Sequence, residues 1–137
     1  MIDVMDWGEC EKGFIRRVEP DKERMNSIIK KALQRLERAR NTKPDLTIVS
    51  FVVEDYYEVI KELLVAYLLK NGLRSRNHQC LISCFYKKNP HFEKETQLIL
   101  QMSFFRNRLS YYGEDVPLEF YENNKNEFEH IINIILR

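Results

Sequence analysis

Residues 46–71 run without a single proline or glycine, and apolar side chains recur on more than one side of the helix such a stretch must form. At 1.5 Å per residue that helix would be about 39 Å long, with Gly72 closing it as a left-handed cap. Val49, Val52, Val53, Tyr56, Ile60, Leu63, Leu64 and Tyr67 make one stripe, while Ile48, Phe51, Val59, Ala66 and Leu69 spread beyond it. A helix apolar over so wide an arc is either central in a bundle or shared with a second subunit. Only 4 glycines and 4 prolines occur in 137 residues, which leaves few turns for a many-stranded sheet. The expected fold is therefore all-α: an antiparallel up-and-down bundle of about four to five helices. It is read as a single domain over residues 1–137, with residues 1–18 a peripheral N-terminal segment.

The other helices follow from their caps and stripes. Glu19, Pro20 and Asp21 suit a helix opening. The helix that follows runs to about residue 41, with Met25, Ile28, Ile29, Ala32, Leu33 and Leu36 inward and Lys22, Lys30, Lys31, Arg35 and Arg38 outward. A shorter helix is expected to open at Ser75 and to bury Cys80, Leu81, Cys84 and Phe85. The next spans about residues 90–112, with Leu98, Met102, Phe105 and Leu109 on its core line and Gly113 as its stop. A loop holding Glu114, Asp115 and Pro117 leads to a last helix with Phe120, Tyr121, Phe128, Ile131, Ile132, Ile135 and Leu136 inward. Phe14, Ile15 and Val18 fit a short helical turn docking on the bundle, and strand content is expected to be close to zero.

The 22 basic residues nearly balance the 21 acidic ones, so nucleic acid could be held only by a local patch. Arg74, Arg76, Lys87, Lys88, Arg106 and Arg108 supply local positive charge, flanked by aromatic residues able to stack on bases. Three cysteines make no paired framework, and the first residues lack the pattern of a signal peptide; the expectation is a cytoplasmic protein with reduced thiols. The apolar run at residues 63–69 is far short of the ~20 residues of a membrane span. His78, Cys80 and Cys84 have metal-ligand spacing, but no second pair completes four ligands; buried thiols are expected, with no metal and no cofactor.

The run at residues 106–113, Arg-Asn-Arg-Leu-Ser-Tyr-Tyr-Gly, holds the most chemistry. Helical spacing gathers Arg106, Asn107 and Ser110, with Tyr111 one turn beyond Asn107. One possibility is that Asn107 and Ser110 satisfy local partners while both arginines stay solvated. The other is that Arg106 and Asn107 hold a phosphate or a nucleobase. On the long helix, Glu54, Glu58 and Lys61 fall at four and three spacing, either as a solvated face with modest ion pairs or as the carboxylate that receives Arg106.

Two segments together resemble the HEPN superfamily of prokaryotic helical domains: Tyr57, Glu58 and Lys61 on the long helix, and Arg106, Asn107 and Tyr111 on the penultimate one. The similarity covers about residues 20–137 and is to small archaeal and bacterial members that sit beside minimal nucleotidyltransferases as toxin and antitoxin. It implies a homodimer that binds RNA or nucleotide, with Arg106, Asn107 and Tyr111 in the catalytic positions and Arg108, Ser110, Tyr112, Glu54 and Glu58 around the ligand. It also implies either a metal-independent endoribonuclease or a non-catalytic module that binds a partner such as a nucleotidyltransferase. The family's motif histidine is replaced by Tyr111, and Gly113 stands where a tyrosine often follows. A phenol titrates near ~10 and an imidazole near ~6.5, so Tyr111 is a poor base and cleavage is expected to be weakened or absent. His91 and His130 have no evident partner in the sequence.

Overall fold

The computed structural model describes residues 2–137, and the chain is mostly helical, at 75% helix. Among the described residues six α-helices occur: α1 (Trp7–Gly13), α2 (Lys22–Asn41), α3 (Val49–Lys70), α4 (His78–Lys88), α5 (Glu93–Tyr112) and α6 (Leu118–Leu136). Two short strands, β1 (Ile15–Arg17) and β2 (Leu73–Ser75), pair antiparallel. No helix of the described residues is long and apolar enough to cross a membrane.

Short polar side chains cap three of the six helix starts, at Asp6, Asp21 and Asn77. Asp21 accepts the Arg24 amide at 3.0 Å to open α2, and Asn77 accepts the amides of Gln79 and Cys80 at 2.9 and 3.3 Å to open α4. The α4 cap is therefore Asn77 and not Ser75, which lies in β2 and receives the Asn77 amide at 3.1 Å. Asp45 accepts the amides of Thr47 and Ile48, both at 2.9 Å. That turn delays α3 to Val49, three residues later than its apolar pattern begins. Pro90 starts a 3₁₀ turn over Pro90–Phe92, so α5 begins at Glu93. Gly72 and Gly113 follow α3 and α5 with φ of 71° and 64°, the left-handed geometry expected of them.

The wide apolar arc of α3 is explained within the chain. This helix packs against α2, α4, α5 and α6, and it buries thirteen of its residues, among them Ile60, Leu63, Leu64 and Leu68. Phe85 from α4, Ile99 and Met102 from α5, and Phe128, Ile131 and Ile132 from α6 complete one contiguous core. Each large apolar side chain so enclosed contributes roughly 1.5–3 kcal/mol relative to exposure. Leu33, expected inward, is exposed, as are Ile48 and Phe51 at the start of α3 and Leu136 at the end of α6. Ala39 joins Ala32 and Leu36 as the buried line of α2.

The N-terminal segment departs most from expectation. Trp7–Gly13 is the helix, whereas Ile15 lies in a strand, with Ile15 opposite Ser75, Arg16 opposite Arg74 and Arg17 opposite Leu73. The Val18 amide then donates to the Gly72 carbonyl at 2.9 Å. Phe14, Ile15 and Val18 were spaced for a helix, but the backbone of residues 73–75 leaving α3 offers a free edge, and pairing with it satisfies more backbone groups than a one-turn helix would. The expectation of three reduced thiols is also corrected. Cys10 and Cys80, seventy positions apart in sequence, form a disulfide with their Cα atoms 5.6 Å apart, fastening α1 to α4. Cys84 alone is a free thiol, and it is buried.

Candidate anion-binding site

Helices α3 and α5 run in opposite directions, as two contacts fix. Near the start of α3, Ser50 meets the loop after α5: its hydroxyl donates to Asp115 at 3.1 Å and accepts the Val116 amide at 2.8 Å. Two turns into α3, Glu58 faces Arg106 on α5, with Oε1 and Nη2 3.7 Å apart. Glu58 also pairs with Lys61 on its own helix at 2.5 Å. Of the two carboxylates considered for Arg106, the one it meets is therefore Glu58; Glu54 is half-buried on the same helix and joins no ion pair among the described residues.

The first turn of α4 closes the cluster. Gln79 donates to the Ser103 hydroxyl on α5 at 3.1 Å, and the pKa of the buried Tyr57 phenol is raised chiefly by its burial, with Ser103 opposing the rise. Next to Gln79, His78 sits near enough to Lys61, Glu58 and Arg106 to feel all three. Burial is the largest cause lowering its pKa, followed by Lys61; Glu58 opposes and Arg106 adds to the lowering. The imidazole is accordingly biased toward its neutral form, the one able to take up a proton.

Arg106 is loosely satisfied. Its side chain is 26% exposed, its Nη1 reaches Asn107 Oδ1 only at 3.5 Å, and its Nε is buried with no hydrogen-bond partner. A buried donor left unmade costs roughly 1–3 kcal/mol, more on a charged group. One carboxylate faces two cations here, and an incoming oxyanion would bring the missing acceptors and the missing negative charge.

The rest of the 106–113 run turns elsewhere. Residues two apart on a helix do not share a face, and Arg108 pairs with Glu114 and lies over the Tyr112 ring at 4.6 Å and near the Phe104 ring at 6.0 Å. Ser110 is exposed, and Tyr111 and Tyr112 are exposed at 73% and 68%. Neither phenol lines a helix seam. The run thus divides, with Arg106 turned to the α3 cluster, Asn107 joined to it only through Arg106, and Arg108, Ser110, Tyr111 and Tyr112 outside it. His78 is the residue that the sequence did not bring to this place; its link to Arg106 passes through the Gln79–Ser103 contact, which no local spacing reveals.

The other histidines stand apart: His130 lies 3.4 Å from Glu95, and His91 packs on Phe92. The disulfide removes Cys80 from any thiolate ligand set, and among the described residues no three histidine, cysteine or acidic side chains gather as a metal site. No family model matches the chain, and neither a curated protein nor a solved structure is found to match it.

Proposed function

We propose that this chain is a HEPN-like RNA- or nucleotide-binding protein, an antiparallel bundle of four to five principal helices with α1 peripheral, acting as a homodimer in a prokaryotic toxin–antitoxin or RNA-processing system. The observation that carries the reading is the single Glu58 carboxylate shared by Arg106 and Lys61, with a buried Arg106 donor left open and His78 near enough for these charges to act on its pKa. Arg106 and Lys61 would hold the phosphate, and Asn107 would steady Arg106.

Cleavage would be metal-independent and weak. The exposed Tyr111 is a poor base, whereas neutral His78 is the group suited to remove a proton from the ribose 2′-hydroxyl. The 2′-oxygen would then bond to phosphorus as the bond to the 5′-oxygen breaks, and the leaving oxygen would take its proton from water. A second reading is favoured by a different observation: Phe51, Phe104, Tyr111 and Tyr112 are all exposed, which suits a non-catalytic module docking a partner such as a minimal nucleotidyltransferase.

The deciding experiment measures RNA binding and cleavage with a metal chelator present. Arg106→Ala is expected to weaken binding about ten- to hundredfold, the worth of a charge-assisted hydrogen bond, and His78→Gln to remove cleavage while leaving binding in place. If the native protein cuts no RNA, the nuclease part of the proposal is lost. If the native protein binds no RNA even at low salt, only the docking module remains.

A further inference from the structure

The two-stranded ribbon carries a second set of cations that is arranged quite differently. Arg16 and Arg74 are directly opposed across the antiparallel pair, so their side chains leave the same face. Like charges in that relation repel and weaken the pairing. Arg76 follows one residue past the strand, and among the described residues none of these three arginines has a carboxylate within 4.0 Å. The ribbon is nonetheless held in register, by its own ladder, by the Val18–Gly72 hydrogen bond and by the Cys10–Cys80 disulfide behind it.

Between these arginines lies a cavity of about 260 Å³, lined by Gly13, Phe14, Arg16, Arg74, Ser75 and Arg76. That is below the usual ~300–1,000 Å³ of pockets enclosing a drug-sized ligand, which suits one phosphate inside and a planar group at the rim. Phe14 supplies the plane: it lines the cavity and is 46% exposed, although it is a large apolar residue. Unpaired guanidiniums beside an open aromatic ring are the two elements by which single-stranded nucleic acid is held without sequence preference, charge for the backbone and a π-face for the base.

We infer that Phe14, Arg16, Arg74 and Arg76 form a nucleotide cradle that takes one phosphate of single-stranded RNA on the arginines and stacks the adjoining base on Phe14. The anion site stands on the ribbon's own geometry; the choice of RNA as the source of the phosphate rests on the function proposed above. Arg76 precedes His78 by two residues, a span of at most ~7 Å, so the cradle and the Arg106 cluster flank the start of α4. A strand seated in the cradle is thereby led toward Arg106.

The test is fluorescence anisotropy of the full chain with a labelled oligoadenylate of about ten nucleotides. Arg16→Ala/Arg74→Ala is expected to bind at least about tenfold more weakly at about 50 mM salt and to show a log–log salt slope shallower by about 0.7, one phosphate contact on a single strand. Phe14→Ala should weaken binding about five- to tenfold at every salt concentration, because stacking carries no counterion term. Relief of the Arg16–Arg74 repulsion should leave the thermal midpoint of the double variant unchanged or higher, which separates lost binding from lost folding. Native-like binding by the double variant overturns the cradle. So does competition by polyglutamate as effective as that by unlabelled oligonucleotide together with no effect of Phe14→Ala, which would mark a surface for acidic peptides. Arg106→Ala distinguishes the two proposals: native binding and cleavage in that variant, with loss in the ribbon variants, would remove the Arg106 site and keep the cradle, and the reverse pattern would remove the cradle alone.

Discussion

The cations on the two sides of the start of α4 are handled in opposite ways. At the α3–α5 contact, Arg106 and Lys61 share Glu58 and are partly covered; on the ribbon, Arg16 and Arg74 face each other with no carboxylate at hand. The first arrangement fixes where a guanidinium points and leaves one donor open. The second leaves charge unbalanced and close to solvent. Orientation is what a reacting phosphate requires, and unbalanced charge is what draws and retains a backbone. The helical side thus holds its cations in a fixed direction against Glu58, and the ribbon leaves its own open to solvent.

Reduction gives the largest expected effect and strikes one side selectively. Closing a loop across seventy positions stabilises the folded state by about 4 kcal/mol in the chain-entropy account. Cys80→Ser, or the native protein in dithiothreitol, should therefore show a urea midpoint lowered by a comparable free energy. Oligonucleotide affinity should fall with it, since α1 leads directly into Phe14 and Arg16. A midpoint unmoved by reductant would mean that the ladder and the core hold the N-terminal segment unaided, and the ribbon would lose its claim to depend on the disulfide.

The two left-handed glycines give a graded comparison, one on each side. At Gly113 a Cβ would meet nothing within 4 Å, so Gly113→Ala should cost only the backbone strain of about 1–2 kcal/mol. At Gly72 the same strain is joined by the Val18 carbonyl 3.3 Å from the new Cβ, and this glycine's own carbonyl anchors the ribbon. Gly72→Ala should be the more destabilising in chemical denaturation and the one that also weakens oligonucleotide binding; equal costs would show that the ribbon yields freely.

His78 gives the smallest effect, at the junction of the two regions. Its pKa is lowered in the folded protein by burial first and then by Lys61, with Arg106 adding and Glu58 opposing. The folded state thus binds this proton less readily than the unfolded chain, whose imidazole titrates near ~6.5. The stability contributed by the neutral ring is complete above that value and drains away as pH falls through the lower folded one. Urea midpoints at about pH 7.5 and about pH 5 should differ less in His78→Gln than in the native protein. An identical pH response in the two would place the imidazole outside the influence of Lys61 and Arg106.

Much of the helical side was legible in the sequence. The stripe of α3, its stop at Gly72 and the stop of α5 at Gly113 follow from helical periodicity and capping, because i, i+3 and i+4 neighbours are set by local geometry; that Glu58 and not Glu54 meets Arg106 does not, because it joins two helices. The split between Arg106 and Arg108 was less so: spacing shows that they diverge, but only packing tells which of them turns inward. The ribbon was not legible. Strands of three residues carry too little alternation to be told from helix, and the pairing of Arg16 with Arg74 joins segments that the whole of α2 and α3 separates.

Local chemistry along the chain thus determined that this protein is mainly helical and where most of its helices stop. Tertiary structure alone decided that Cys10 and Cys80 bond, that His78 comes within reach of the Arg106 charge while Tyr111 is left exposed, and that two arginines are held face to face beside Phe14. The physical reason is common to all three. Caps and stripes are fixed within about one turn of chain, whereas these contacts depend on how α3 sets the path of everything packed around it.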